Sequence, residues 1–374
     1  VDNTMTACPI CHAAVGDSEQ FCEACGAELS PTVAATEPLS SEEPTPTLPM
    51  ANDLAGAAST CPSCGGEVAV DGYCGTCGAR APKRRDHFSE QPAAWVAAVC
   101  DRGLRHARNE DAVAVAADAE AGSRAVLVVC DGVSSSIDSD LASLAAARAA
   151  RDVLVSSHSR GMGAGLSLIA AVTARLEAAA DAANDAVLQV TKNARDLAAA
   201  EVAAGNMTAG GLSTGPNPAS CTFVAAVVEQ DLLVVGSVGD SRAYWLPDVG
   251  AAAALTLDDS FAQVRIAAGI PRAEAESGPQ SHAIMRWLGE DAPDHKPATA
   301  TMSLTEPGWL LVCSDGLWNY CSEAEDLAAL VRQTAGASPV SAEPLSLAGA
   351  LVSWANAQGG QDNISVALAR IEPD

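Results

Sequence analysis

Several things are scarce in this sequence. No apolar run approaches the roughly 20 residues that a bilayer helix needs; stretches such as Ala125-Val126-Leu127-Val128-Val129-Cys130 stop far short, which argues against a membrane span. No cationic start followed by an apolar stretch opens the chain, so no secretory signal is read and a cytoplasmic location is expected. Basic residues are few: 21 Lys and Arg stand against 47 Asp and Glu, a formal charge of −26. Such a surface repels nucleic-acid phosphates and anionic lipid at long range. The expected partners are therefore proteins or small molecules, with no nucleic acid and no membrane. Aromatic residues make up only 3%, yet the hydrophobic share is 48% of 374 residues. That is enough to bury a large core in two or three compact units, which excludes disorder throughout.

Cysteine, by contrast, is plentiful. Eight of the thirteen cysteines fall in the first 77 residues as Cys-x-x-Cys pairs, and without a secretory signal this spacing points to metal rather than disulfides. Cys8, Cys11, Cys22 and Cys25 form one set and Cys61, Cys64, Cys74 and Cys77 a second. Each can supply four thiolates to a tetrahedral Zn²⁺, with Gly26, Gly65 and Gly78 permitting the tight turns around it. Segments this short bury little apolar surface, so metal binding provides most of their folding free energy. Four-thiolate sites leave no open coordination position, which makes the two zinc ions structural. The reading is two zinc ribbons, residues 5–30 and 58–80. A Pro/Thr/Glu-rich linker over 31–57 separates them, and a second linker, 81–92, includes Lys83-Arg84-Arg85. Residues 1–92 hold 4 basic against 13 acidic residues, which disfavours a zinc-ribbon regulator of transcription and favours protein contact.

From residue 93 the texture changes. Runs rich in Val, Leu and Cys read as strands over Trp95–Cys100, Ala112–Ala116, Ala125–Cys130, Cys221–Val228, Leu232–Val238, Trp309–Cys313 and Ile364–Ala369. Two Ala-rich segments, Ser139–Val155 and Ser167–Ala204, have the length and apolar spacing of helices. Many strands with two long helices predict an α+β domain over 93–374. Cys100, Cys130, Cys221 and Cys313 lie in strand runs and read as buried small hydrophobes.

Two distant segments read alike: Leu127-Val128-Val129-Cys130-Asp131-Gly132 and Leu310-Leu311-Val312-Cys313-Ser314-Asp315-Gly316. Each puts an Asp at the end of a core strand, followed by a Gly that lets backbone approach closely. Gly360-Gln361-Asp362-Asn363 places a further carboxylate before the last strand, and Asn109-Glu110-Asp111 places two before an early one. Converging carboxylates repel one another and take up protons when buried. Hard divalent cations such as Mg²⁺ or Mn²⁺ relieve that repulsion.

Together with Gly239-Asp240-Ser241-Arg242, this ordered set of motifs resembles the metal-dependent serine/threonine protein phosphatase family of type 2C, over about Ala93 to Asp374. The resemblance implies a central antiparallel β-sandwich flanked by helices, with two Mn²⁺ or Mg²⁺ at one end. It implies that Asp131 bridges both metals, that Gly132 offers its carbonyl, and that Asp315 and Asp362 ligate the second ion. Glu110 and Asp111 hold waters or complete the shell, Asn363 orients its loop, and Asp240 and Arg242 are structural. The implied reaction is hydrolysis of phosphoserine or phosphothreonine in proteins by a metal-activated water, without a phosphoenzyme. Phosphorylated proteins are the implied partners, with a cognate serine/threonine kinase or its substrates recruited by the ribbons.

Two departures stand out. His106 occupies the position of the usual phosphate-gripping Arg, which leaves Arg105 and Arg108 as candidate phosphate contacts and His106 as a candidate proton donor. Asn319 stands where relatives carry a carboxylate for a third metal, and none lies within 215–220, so a third ion is expected to bind poorly or not at all. The alternative function is a catalytically weak pseudophosphatase acting as a signalling scaffold.

Overall fold

The computed structural model describes residues 5–7, 14–16, 60–61, 64–70, 72–156, 166–204, 217–278, 280–337 and 340–373. The chain divides into two units, Val1–Phe88 and Ser89–Asp374. In the first, β1 (Met5–Ala7) and β2 (Ala14–Gly16) form an antiparallel pair. The first cysteine set, Cys8, Cys11, Cys22 and Cys25, and the linker 31–57 lie outside the described residues.

The second unit is built on two antiparallel sheets. One holds, in spatial order, β11 (Ala253–Ala254), β10 (Arg242–Pro247), β14 (Gly308–Cys313), β15 (Ile364–Ile371), β4 (Val96–Asp101) and β3 (His87–Ala93). The other holds β13 (Ala298–Ser303), β9 (Leu232–Val238), β8 (Phe223–Glu229), β6 (Arg124–Cys130) and β5 (Ala112–Ala117). A short pair, β7 (Ser220–Cys221) with β12 (Leu288–Gly289), stands apart. Strands β6, β8, β9, β10 and β14 are apolar along nearly their whole length because they are covered on both faces. Their inner faces meet each other and their outer faces meet helices, giving a sandwich with helical layers outside it.

On the five-stranded sheet the cover is α1 (Ser139–Ser156) and α2 (Leu166–Ala203). Both turn small buried residues to the contact, among them Ala142, Ala146, Ala150, Ala179 and Ala183, and small side chains let the helix axes approach closely. Arg124 of β6 donates to the carbonyls of Leu154 and Val155, satisfying the end of α1. On the six-stranded sheet the cover is α6 (Ala324–Ala335) and α7 (Pro344–Gln358), packed through Leu327, Val331, Leu347 and Leu351. Between β11 and β12 an excursion carries α3 (Phe261–Ala267), whose first turn is capped by the Ser260 hydroxyl, and α4 (Arg272–Ala275). The short α5 (Asp315–Trp318) follows β14 directly. The four cysteines assigned to strands are fully buried. Among the described residues no helix is long and apolar enough to cross a membrane.

Candidate functional site

Strand register decides where the acidic residues go. Cys130 at the end of β6 pairs with Ala112 at the start of β5, so Asp131 and Asp111 come to neighbouring positions on the five-stranded sheet. In the other sheet Cys313 at the end of β14 pairs with Val366 near the start of β15, which brings Asp315 and Asp362 to neighbouring positions as well. Each sheet thus supplies one pair of carboxylates. The two ends are tied by Ser314 and Ser365, whose hydroxyls donate to Asp111 Oδ2 at 2.7 and 2.8 Å. Both motif glycines are required by contact. A Cβ on Gly132 would lie 2.6 Å from the Ser139 carbonyl oxygen, and one on Gly316 would lie 2.0 Å from that of Asn363.

These carboxylates are poorly compensated. Loss of solvation, then the charges of Asp111, Asp315, Asp362 and Asp240, push the Asp131 carboxyl well above its ordinary value. Asp315 is raised in the same way, by burial and then by Asp362, Asp240 and Asp111. Burial lifts Asp111 to about 6 even though Ser314 and Ser365 donate to it. Asp240 rises to about 7, from burial and the charge of Asp258, with Arg242 pulling the other way. The Oδ1 of Asp315 is buried and receives no hydrogen bond among the described residues. A crowded set of hard oxygen donors with unmet charge and an unmet buried oxygen fits a centre for divalent cations.

The loop before β5 forms one wall. Its Glu110 differs from the others: burial works to raise it, but hydrogen bonds from His106, Ser139 and Ser134 and the charge of Arg108 prevail and hold it at about 2. Arg108 Nε lies 2.9 Å from Glu110 Oε1 and its Nη2 lies 3.1 Å from the Ser139 hydroxyl, so this guanidinium is engaged by the wall itself. Arg105 is exposed. His106 is buried, with Nε2 3.2 Å from Asp362 Oδ1 and Nδ1 3.7 Å from Glu110 Oε2. Burial alone would lower its pKa, and the neighbouring Glu110, Asp362 and Asp111 turn the shift upward. Asn363 accepts from the Glu110 backbone N–H at 2.7 Å and donates to the carbonyls of Arg102 and Arg108 at 2.7 and 3.1 Å, which fixes the loop.

Arg102 and His282, which no motif marks, also border the site. Asp240, expected to be structural, also adds its charge to the rise of Asp131 and Asp315. Arg102 donates to the His106 carbonyl. His282, on the excursion between β11 and β12, has Nδ1 3.8 Å from Asp315 Oδ2, and no motif marks it. Arg242 pairs with Asp258 at 2.7 Å and Glu276 at 2.9 Å and lies 3.6 Å from the centroid of the Trp318 ring. Asn319 donates to Asp315 Oδ2 at 3.0 Å.

In the other unit the sulfur atoms of Cys61, Cys64, Cys74 and Cys77 all lie within 4.8 Å of one another. A Zn²⁺ bonded to four sulfurs at about 2.3 Å holds them about 3.8 Å apart, so the cluster fits that ion. Gly65 and Gly78 have φ of +74° and +70°, the left-handed turns expected beside the knuckles. Backbone N–H groups of Cys77 and Thr76 pull the Cys74 thiol down to about 6. Cys64, despite the Gly66 backbone N–H, is pushed up to about 12 by the neighbouring Cys77, Cys74 and Cys61 sulfurs, a crowding that a shared cation would relieve.

Comparisons with known proteins agree with this geometry. The family described as Protein phosphatase 2C matches residues 103–352, more than half of the chain, and Double zinc ribbon matches residues 8–83. The Serine/threonine phosphatase stp of Listeria innocua is 31% identical over 153 residues, which span 41% of this chain and 57% of that protein. The chain therefore matches little more than half the length of this curated relative. Among solved structures, the serine/threonine phosphatase PstP/Ppp of Mycobacterium tuberculosis superposes with a TM-score of 0.53 at 27% identity, covering 74% of this chain and 98% of that one. The PPM Ser-Thr phosphatase MsPP of Mycobacterium smegmatis, in complex with cacodylate, gives 0.52 at 26% identity, with coverage of 74% and 98%.

Proposed function

Since the chain belongs to the protein phosphatase 2C family, we propose that it hydrolyses phosphoserine and phosphothreonine esters in proteins, with Asp131, Gly132, Asp315 and Asp362 holding two Mn²⁺ or Mg²⁺. The observation that carries this reading is the meeting of two carboxylate pairs, one from each sheet, whose charges the surrounding residues leave largely uncompensated. When bound by these residues, such ions would supply a lowered pKa for an attacking water and compensation for charge on the phosphoryl oxygens.

The chain's own groups do the rest. Asp111, whose Oδ2 is steadied by Ser314 and Ser365, orients water at the centre beside Asp131. Glu110 fixes the wall through Arg108, Ser134 and Ser139. His106, held between Glu110 and Asp362, is placed to give a proton to the departing alkoxide. With Arg108 engaged by Glu110, the exposed Arg105 is the better candidate for a phosphate contact at the rim. The Cys₄ clusters serve as structural zinc sites of modules that contact protein partners, such as a serine/threonine kinase or its substrates. A second reading, a weak pseudophosphatase acting as a scaffold, is favoured by His106 in place of Arg and by the engagement of Arg108.

Release of phosphate from a phosphothreonine peptide, with and without Mn²⁺, tests the reading on the wild type and on Asp131→Ala. Hydrolysis that requires Mn²⁺ and disappears in Asp131→Ala is expected. A folded wild type with no Mn²⁺-dependent rate would select the scaffold.

A further inference from the structure

We propose that Arg80, Lys83, Arg84 and Arg85, where the second ribbon ends, form a docking site for an acidic segment of a partner protein that carries a phosphoserine or phosphothreonine. The inference rests on the reading of the ribbons as modules that contact protein partners, and it names the surface and the chemistry of that contact.

The charge distribution singles out this segment. The four basic residues of 1–92 all fall between positions 80 and 85, in a chain whose formal charge is −26. Asp86 is the one carboxylate between 79 and 86, and its Oδ2 accepts the Lys83 backbone N–H at 2.9 Å. Arg80, Lys83 and Arg84 are exposed. Among the described residues no ion pair engages the side chain of Lys83 or Arg84. The backbone beneath them is held in shape. Arg80 bridges to Tyr73 in antiparallel register, with Ala81 N–H donating to the Gly72 carbonyl at 2.7 Å and Cys74 N–H to the Ala79 carbonyl at 2.8 Å. The basic run therefore starts on the backbone that carries a member of the Cys₄ cluster. Asp86 N–H donates to the Lys83 carbonyl at 2.9 Å and closes a 3₁₀ turn over Arg84–Asp86. Cations presented on a fixed backbone lose less freedom when they bind. Tyr73, 50% exposed, adds an aromatic face beside Arg80.

The chemistry of the patch selects its partner. A guanidinium forms paired hydrogen bonds with phosphate, and a phosphorylated side chain brings close to two negative charges and three acceptor oxygens. Carboxylates flanking that phosphate add attraction for the neighbouring cations. A short segment meets only the local field, because exposed charges are screened beyond about 8 Å at physiological salt. A nucleic acid carries charge along its whole length and meets the acidic surface on either side, as a sheet of anionic lipid does. The patch lies in the unit Val1–Phe88 and the carboxylate centre in Ser89–Asp374, so the phosphate that docks is distinct from the one that is hydrolysed.

The test is fluorescence anisotropy of a labelled peptide with one phosphothreonine among glutamates. It uses the full chain with zinc retained and with Mn²⁺ and Mg²⁺ dialysed away, so that the probe is not consumed. The wild type should bind, and more weakly as salt rises. Lys83→Glu combined with Arg84→Glu should weaken binding about tenfold or more, and the milder Lys83→Ala with Arg84→Ala should act in the same direction. Both should keep the zinc content of the wild type and its Mn²⁺-dependent turnover of a small phosphoester. Lys192→Glu, on the exposed side of α2, should leave docking unchanged. The proposal is overturned by no binding to the wild type, by equal affinity in zinc-retaining variants, or by equal affinity for the peptide without its phosphate. Tighter binding of an oligothymidylate or of phosphatidylserine vesicles also overturns it. If docking fails while Cys74→Ser still raises KM for phosphorylated casein and not for a small phosphoester, the ribbons contact proteins through another surface. If docking holds in a chain that hydrolyses no phosphothreonine peptide with Mn²⁺, the scaffold reading is selected.

Discussion

The Ser314 hydroxyl donates to Oδ2 of Asp111 across 2.7 Å and accepts the backbone N–H of Ser365 at 3.0 Å. Ser314 follows β14 of one sheet and Asp111 precedes β5 of the other, so a single hydroxyl fastens both sheets beside the carboxylate pairs. Ser314→Ala should lower stability by about 1 to 3 kcal/mol, because a buried donor and a buried acceptor lose a partner together. Urea denaturation should show a lower midpoint with an unchanged slope; an unchanged midpoint would mean that Ser365 alone suffices.

Without divalent cations the acidic centre should make stability pH-dependent. Asp111 and Asp240 have folded values near 6 and 7, raised by burial. The folded chain therefore holds more protons than the unfolded one between the ordinary carboxylate value near 4 and about 7. Stability is greatest on the acid side of that window and falls as pH rises through it. Thermal melts of protein dialysed free of Mn²⁺ and Mg²⁺ should show this decline, and added Mn²⁺ should flatten it. A decline of equal size with Mn²⁺ present would place the titrating groups elsewhere.

Arg242→Met should be among the most damaging single changes. It leaves Asp258 buried without its partner and uncovers Trp318, and breaking a buried pair from one side costs about 3 to 5 kcal/mol. Arg242→Lys keeps a charge but not the fork that reaches both Asp258 and Glu276, so chemical denaturation should rank it between wild type and Met.

Cys74→Ser should remove about one Zn²⁺ per chain, since three thiolates and a hydroxyl make a much poorer site. Atomic absorption measures the loss, and limited proteolysis should then cut within 60–81. Turnover of a small phosphoester should be unaffected, because the Cys₄ cluster and the carboxylate centre belong to different units. Full zinc retention would exclude Cys74 as a ligand.

Much of the fold was legible because strands covered on both faces leave unbroken apolar runs, as in β6 and β14, and because long Ala-rich stretches have few alternatives to helix. The cover of the opposite sheet was not. The α7 helix opens on Pro344, tolerated at a first turn but usually a breaker, and contains Gly349, which together blur its pattern. Strand β13 is largely exposed and reads as a polar loop. At the site, Asp131, Asp315 and Asp362 were visible because each adjoins a core strand beside a characteristic glycine or asparagine. His282 was invisible for the opposite reason. Its proximity to Asp315, 33 positions away, is created only when the excursion between β11 and β12 folds back, and nothing local records that event.

The last strand of the sandwich, β15, inserts between β14 and β4 and brings Asp362 with it. During synthesis the polypeptide therefore carries Asp111, Asp131 and Asp315 before Asp362 is made. A nascent chain can thus form most of its hydrophobic interior while one of the four paired carboxylates is still missing. The last strand then completes the sheet and the acidic cluster together.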